Sequence, residues 1–215
     1  MAADPQTYSE LQASLQNWTD DSTLTATIPE IIALSERRLS RRLNSPEMEA
    51  LTTLAITDGA ASLPSDLLEI RSLFIDYQNR RTQLTAISEA DYDQAYASDY
   101  TSLPRFYAVS GSSVMVFPLP DLTYGLTLRY KQAIPALSDI NTTNWLLTKW
   151  PDLYLAHCLL VASDFGYEDA RLDWATTKTE QLISEVNDAG RKLRYGSGPL
   201  IPRPPVTDIA GRLGR

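Results

Sequence analysis

Leu67-Leu68-Glu69-Ile70-Arg71-Ser72-Leu73-Phe74-Ile75-Asp76-Tyr77 is the stretch on which the fold class turns. Large apolar residues occupy both alternate sets, Leu68, Ile70 and Phe74 on one and Leu73, Ile75 and Tyr77 on the other. That pattern predicts a strand with apolar cover on both faces. Further on, Phe106-Tyr107-Ala108-Val109 and Val114-Met115-Val116-Phe117 flank Ser110-Gly111-Ser112-Ser113, a hairpin signal. Tyr124, Leu126, Leu128 and Tyr130 then alternate on one face of a last strand. Pro104, Pro118, Pro120 and Pro135 stand at the ends of these runs, where a missing N–H does least harm to a sheet. The period of two begins near Met48 and is over by Pro135.

On both sides of this region the period is helical. Tyr8, Leu11 and Leu15 share a face before Trp18 and the polar break Thr19-Asp20-Asp21-Ser22. A second helix is announced by Thr27 as N-cap, Pro29 and Glu30, carries Ile31, Ile32, Leu39 and Leu43 inward, and ends at Asn44-Ser45-Pro46. After Asn144, the residues Trp150, Leu153, Tyr154, His157, Cys158, Val161 and Phe165 follow helical spacing, with Leu155, Leu159 and Ala162 apolar on another side. A helix apolar around most of its circumference belongs at the centre of a bundle. The next, from about Glu168 to Leu193, keeps a seven-residue beat through Leu172, Thr179, Val186 and Leu193. Gly196-Ser197-Gly198-Pro199 and the prolines at 202, 204 and 205 read as a hinge and an extended tail. The expected fold is therefore α+β and mainly helical. It is an antiparallel helical bundle, built from residues 7–45 and 144–194, with a small antiparallel β insertion at 48–135. One domain covers residues 1–195, and 196–215 form an extended, proline-rich C-terminal tail.

The bulk numbers narrow the function classes. With 215 residues and 43% apolar content the chain can bury a sizeable core, and no run of eighteen apolar residues is present to span a membrane. Met1-Ala2-Ala3-Asp4-Pro5 lacks the basic and apolar regions of a signal peptide, and the single cysteine fits a reducing compartment such as a cytoplasm. The formal charge of −8 is uneven: Arg191 to Arg215 hold six basic residues against Asp208, a stretch of +5 that leaves −13 for residues 1–190. An acidic body argues against clamping nucleic acid, whose binding rests on neutralised phosphates.

Catalytic chemistry finds little to work with. His157 is the single histidine, and Cys158 beside it points about 100° away on a helix. Both fall in the most apolar helix, where a buried imidazole and a buried thiol are the plain reading. Phosphate loops of the GxxxxGK or GxGxxG kind, HExxH and EF-hand loops are absent from the sequence. No catalytic residue, metal ligand or cofactor is assigned. The scattered carboxylates leave a glycosidase-like pair open as an enzymatic alternative.

Three surface features remain. Arg37, Arg38, Arg41 and Arg42 stud the second helix, either as a contact for DNA or an acidic subunit or as a solvated face paired locally with Glu36. Tyr92, Tyr96 and Tyr100 recur every four residues among Glu89, Asp91, Asp93 and Asp99, as a protein- or sugar-contact stripe or as packing against the β region. The tail carries Val206, Ile209 and Leu213 among Arg203, Arg212 and Arg215, which suits a segment that orders on a partner.

The order of short motifs resembles the head-to-tail adaptor proteins of tailed phages, chiefly the short-tailed ones. The motifs are Tyr8-Ser9-Glu10-Leu11, Ile28-Pro29-Glu30-Ile31-Ile32, Glu36-Arg37-Arg38-Leu39, Leu63-Pro64-Ser65-Asp66-Leu67-Leu68-Glu69-Ile70, Pro104-Arg105-Phe106-Tyr107, Pro135-Ala136-Leu137-Ser138, Asn144-Trp145-Leu146-Leu147 and Pro151-Asp152-Leu153-Tyr154-Leu155. The resemblance implies a virion protein at the portal–tail junction, assembled in the host cytoplasm. It implies a homo-oligomeric ring, twelve-fold to match the portal, that extends the DNA channel without sequence-specific DNA binding. Its partners are then the portal protein and tail or nozzle proteins, with Arg203, Val206, Ile209, Arg212, Leu213 and Arg215 meeting the portal or a neighbouring adaptor. A connector or tail-completion protein of a long-tailed phage, a carboxylate-based cell-wall hydrolase and a sugar-binding module are the alternatives.

Overall fold

A computed structural model describes residues 4–78, 80–96 and 100–195. Helices α1 (Tyr8–Thr19) and α2 (Ile28–Arg42) come first. Strands β1 (Glu49–Leu54), β2 (Ala60–Ser62), β3 (Leu67–Tyr77), β4 (Arg80–Gln83) and β5 (Thr85–Ala86) follow. Helix α3 (Glu89–Tyr96) precedes β6 (Phe106–Ser110), β7 (Ser113–Phe117) and β8 (Gly125–Gln132). Helices α4 (Trp145–Lys149), α5 (Pro151–Ala162) and α6 (Leu172–Tyr195) complete the order.

The expectation of a helical bundle with a small antiparallel insertion is overturned. The middle of the chain forms two four-stranded sheets, ordered β1-β8-β3-β4 and β2-β7-β6-β5. The second is mixed, because β5 pairs parallel to β6. The two sheets share an apolar core of their own, with Leu73 and Ile75 of β3, Val114 and Val116 of β7, and Leu126 and Leu128 of β8 fully buried. This sandwich stands beside the helical unit as a second core. The physical reason for the misreading is visible in the topology. The strands with strong apolar patterns, β3, β6, β7 and β8, are the central ones, whereas β1, β2, β4 and β5 are all edges. An edge strand needs little apolar cover; Arg80-Arg81-Thr82-Gln83 is exposed along its length. β3 also has one buried face and not two: Leu68 is 40% exposed, and the Arg81 guanidinium lies 5.5 Å from the centroid of Phe74.

The helical unit follows the sequence more closely. A capping box starts α1, with Glu10 N–H donating to Thr7 Oγ1 (3.3 Å) and Thr7 N–H to Glu10 Oε2 (3.2 Å). Thr27 occupies the cap position of α2, but its hydroxyl donates back to Leu24 O at 2.8 Å instead of capping. Asn144 caps α4 by accepting from Leu147 N–H at 2.9 Å. α5 is buried on all sides, from Leu153 and Tyr154 through His157 and Cys158 to Val161 and Ala162, as its apolar circumference requires. α6 buries Ala175, Thr179, Leu182, Ile183, Val186 and Gly190, while Leu193 is 70% exposed. The seven-residue beat therefore lapses at its end: a straight helix drifts by about 20° per heptad, and over three heptads the seam moves off Leu193. Gly190 lets α6 close on the turn after α2, where an added Cβ would lie 3.0 Å from Asn44 O.

The chain crosses twice between the two units, and both crossings are held. The first, residues 43–48, is pinned by Asn44 N–H donating to Asn187 Oδ1 (2.7 Å) and by the Glu47–Lys149 ion pair. The second, leaving β8, is pinned by Ile134 N–H to Ser40 Oγ (3.0 Å) and Leu137 N–H to Glu36 Oε1 (2.9 Å).

Candidate functional site

At the heart of the helical unit lies a polar cluster in apolar surroundings. Ser35 Oγ and His157 Nδ1 are 2.6 Å apart. Burial, with Arg42 and Arg38 nearby, depresses the His157 imidazole to about 4, so the ring is neutral at pH 7. Burial pushes the Cys158 thiol up to about 12, which keeps it out of the nucleophilic thiolate form. Glu36 Oε1 accepts from Tyr154 Oη–H at 2.5 Å as well as from Leu137 N–H, and Asn144 Nδ2–H donates to Pro135 O at 2.8 Å. Desolvation raises the Glu36 carboxyl above the ordinary range. Glu36 and Asn144 thereby hold the crossing at 133–137, whereas the Ser35–His157 pair stays within the helical unit.

The reading of Glu36 as a surface partner for the arginines of α2 is corrected here: it is 4% exposed and faces the core. Two of the four arginines pair across the helical unit, Arg38 with Asp164 (2.6 Å) and Arg42 with Glu180 (2.5 Å). Among the described residues, Arg37 and Arg41 form no ion pair; they flank an open groove of about 370 Å³ floored by Ala33, Leu68 and Ile134.

The tyrosine series divides in two. Ser88 Oγ accepts from Asp91 N–H at 3.1 Å and starts α3. Tyr92 is buried, stacked on Tyr96 (5.6 Å between centroids) and edge-on to Phe117 of the second sheet (6.4 Å). Tyr96 and Tyr100 stay 47% and 58% exposed. Tyr96 forms one wall of an open cleft of about 540 Å³ at the end of the sandwich, together with Leu119, Leu122 and Tyr124. Tyr92 thus packs, and Tyr96 is available for contact.

Sequence reasoning missed a second surface, on the outer face of the first sheet. Arg71 of β3, Arg129 of β8 and Arg194 of α6 line a cleft of about 590 Å³ there with Asn44, Glu49 and Tyr195, and Lys131 of β8 lies near enough to feel the charges of Arg71 and Arg194. Arg129 and Lys131, two apart on a strand, share a face by alternation, which was readable; that the end of α6 would bring Arg194 to them was not. The tail residues Arg203, Val206, Ile209, Arg212, Leu213 and Arg215 lie outside the described residues.

Among the described residues no group of three or more His, Cys, Asp or Glu side chains could hold a metal ion. No helix among them is long and apolar enough to cross a membrane. No curated protein matches the chain. A family model described as the SU10 adaptor protein matches residues 6–203.

Proposed function

Because the chain belongs to the SU10 adaptor protein family, and so is a phage adaptor and a virion component, we propose that it forms a ring between the portal and the tail. The observation that carries this reading is the family match over nearly the whole chain, helical unit and sandwich together. Identical subunits join head to tail through a heterologous contact that closes, twelve-fold to match the portal, and the ring prolongs the DNA channel. The ring assembles in the host cytoplasm. Twelve copies of a chain at −8 carry about −96, a charge that discourages DNA from adhering to the channel wall. The exposed Tyr96 and Tyr100 belong to the protein contacts of this ring, and the tail from residue 196 reaches the portal or a neighbouring adaptor. The role is structural, with the buried His157 and Cys158 serving the core.

Native mass spectrometry of purified chain mixed with portal rings from the same genome tests the reading. The expected product is one portal ring with twelve added chains, even where the free chain is monomeric, because a template lets weak contacts add up. Failure to bind any portal of its own genome would end the proposal.

A further inference from the structure

The cationic cleft holds more donors than its acceptors satisfy. Arg71, Arg129 and Arg194 line it beside one carboxylate, Glu49, while Lys131 and Glu69 lie close by outside the lining; four cations against two acids leave +2 in a chain of −8. Glu49 accepts from Arg194 at 2.9 Å and Glu69 from Arg71 at 2.6 Å. Arg71 Nε is buried without a hydrogen-bond acceptor, 3.4 Å from a Glu49 oxygen but out of line with it. Lys131 is only 8% exposed, yet among the described residues its side chain makes no hydrogen bond and no ion pair within 4 Å. Arg129, exposed, has no ion pair either among those residues. Of these groups Arg71 Nε is the buried donor without an acceptor, which is costly, and the exposed Arg129 guanidinium is open to an incoming oxygen.

The rim of the cleft says what kind of molecule brings that oxygen. Leu51, directly opposite Arg129 in the sheet, is 59% exposed, as is Tyr195 at the cleft's edge. Arginines beside exposed apolar and aromatic side chains suit a protein surface, where aromatic and arginine anchors bury together. A duplex would meet an acidic body around this single concavity.

The chain itself carries the complement. Helix α3, Glu89-Ala90-Asp91-Tyr92-Asp93-Gln94-Ala95-Tyr96, has three acids and no base. Glu89 and Asp93 are exposed and, among the described residues, in no ion pair. α3 packs on β6 and β7 of the second sheet, whereas the cleft lies on β1, β8 and β3 of the first. Two patches on different sheets can be matched between copies, and such a contact repeats head to tail. We propose that the cationic cleft beneath the end of α6 receives the acidic, tyrosine-bearing helix α3 of a second copy of this chain. The inference rests on the ring reading above and names the contact that closes it. The groove between Arg37 and Arg41 is a weaker receptor, because exposed guanidiniums are satisfied by water.

Charge reversal on portal rings tests the contact, with fold checked by circular dichroism, since the altered side chains are exposed. Arg129→Glu and Asp93→Arg each lower ring occupancy about tenfold or more at limiting chain concentration, and the double variant regains it. Arg41→Glu fills the ring as the wild type does. If both single variants fill the ring normally, or the double variant fails to recover, the contact is wrong while the ring reading stands. Should Arg129→Glu leave occupancy intact but weaken binding of a duplex DNA fragment, the cleft is a phosphate contact and the proposal falls. A wild-type chain that binds no portal overturns both readings.

Discussion

Glu36 and His157 are buried ionisable groups whose contributions to stability run in opposite directions with pH. The Glu36 carboxyl is raised in the folded chain, so the unfolded chain ionises first, and stability falls as pH rises above the ordinary value of 4.5. Glu36→Gln keeps an acceptor for Tyr154 and Leu137 and removes that slope, so its stability relative to wild type should grow from pH 4 to 7 in urea titrations. Glu36→Ala leaves both buried donors unanswered and should cost about 1–3 kcal/mol for each. His157 behaves the other way. Its folded value near 4 lies below the ordinary 6.5, so its stabilisation is complete above pH 6.5 and is lost as pH falls through 4. His157→Ala should cost about 1–3 kcal/mol at pH 7 through lost packing. The gap to wild type should close as pH drops, by at most about 3 kcal/mol. Little of this was legible beforehand. The burial of His157 followed from its apolar helix, but Glu36 stands among four arginines in sequence, and only the return of residues 133–137 onto α2 turns it inward.

Elements were legible in proportion to how much of their surface is covered. β3, β6, β7 and β8 each have neighbours on two sides, and their apolar residues announced them; the edges β2, β4 and β5 carry polar or small residues that resemble loop, and β1 spaces Leu51 and Leu54 among Glu49, Ala50, Thr52 and Thr53. The same asymmetry governs stability. Leu128→Ala, in the middle of the first sheet and wholly buried, should cost about 2–5 kcal/mol by denaturant unfolding, since a cavity opens between the sheets. Thr82→Ala on the exposed edge strand β4 should stay within about 0.5 kcal/mol. Equal losses at the two positions would mean that the edge is as integral as the centre. Helices were easier, because a buried α5 and a one-sided α6 bear different periodic marks, and Pro151 with Asp152 marks the start of α5 after the break at Trp150, where φ is −138° and ψ 54°.

For the whole molecule, the sequence conveyed membership of the adaptor family and the place of the β region, while underestimating that region as an appendage. It could not convey the meeting of Arg71, Arg129, Lys131 and Arg194, which come from three elements far apart in the chain. The tail is the remaining expectation. Prolines at 199, 202, 204 and 205 keep a chain extended and reduce the entropy lost on docking, and twenty residues at about 3.1 Å each reach on the order of 60 Å. Deleting residues 199–215 should leave the melting temperature within about 2 °C of wild type and abolish stable attachment to the portal. Truncated chains that fill every adaptor position in DNA-holding particles would show the tail to be dispensable.

The doubly pinned crossing between the helical unit and the sandwich has a mechanical meaning. A connection held at one point is a hinge; one held at two, by Asn44 with Asn187 and by residues 134 and 137 with α2, is a bracket. A pull on the sandwich is then borne by both anchors and not by one alone. In a force experiment the two units should yield in a single rupture. A subunit braced in this way passes a load from one unit to the other as a strut does, without bending.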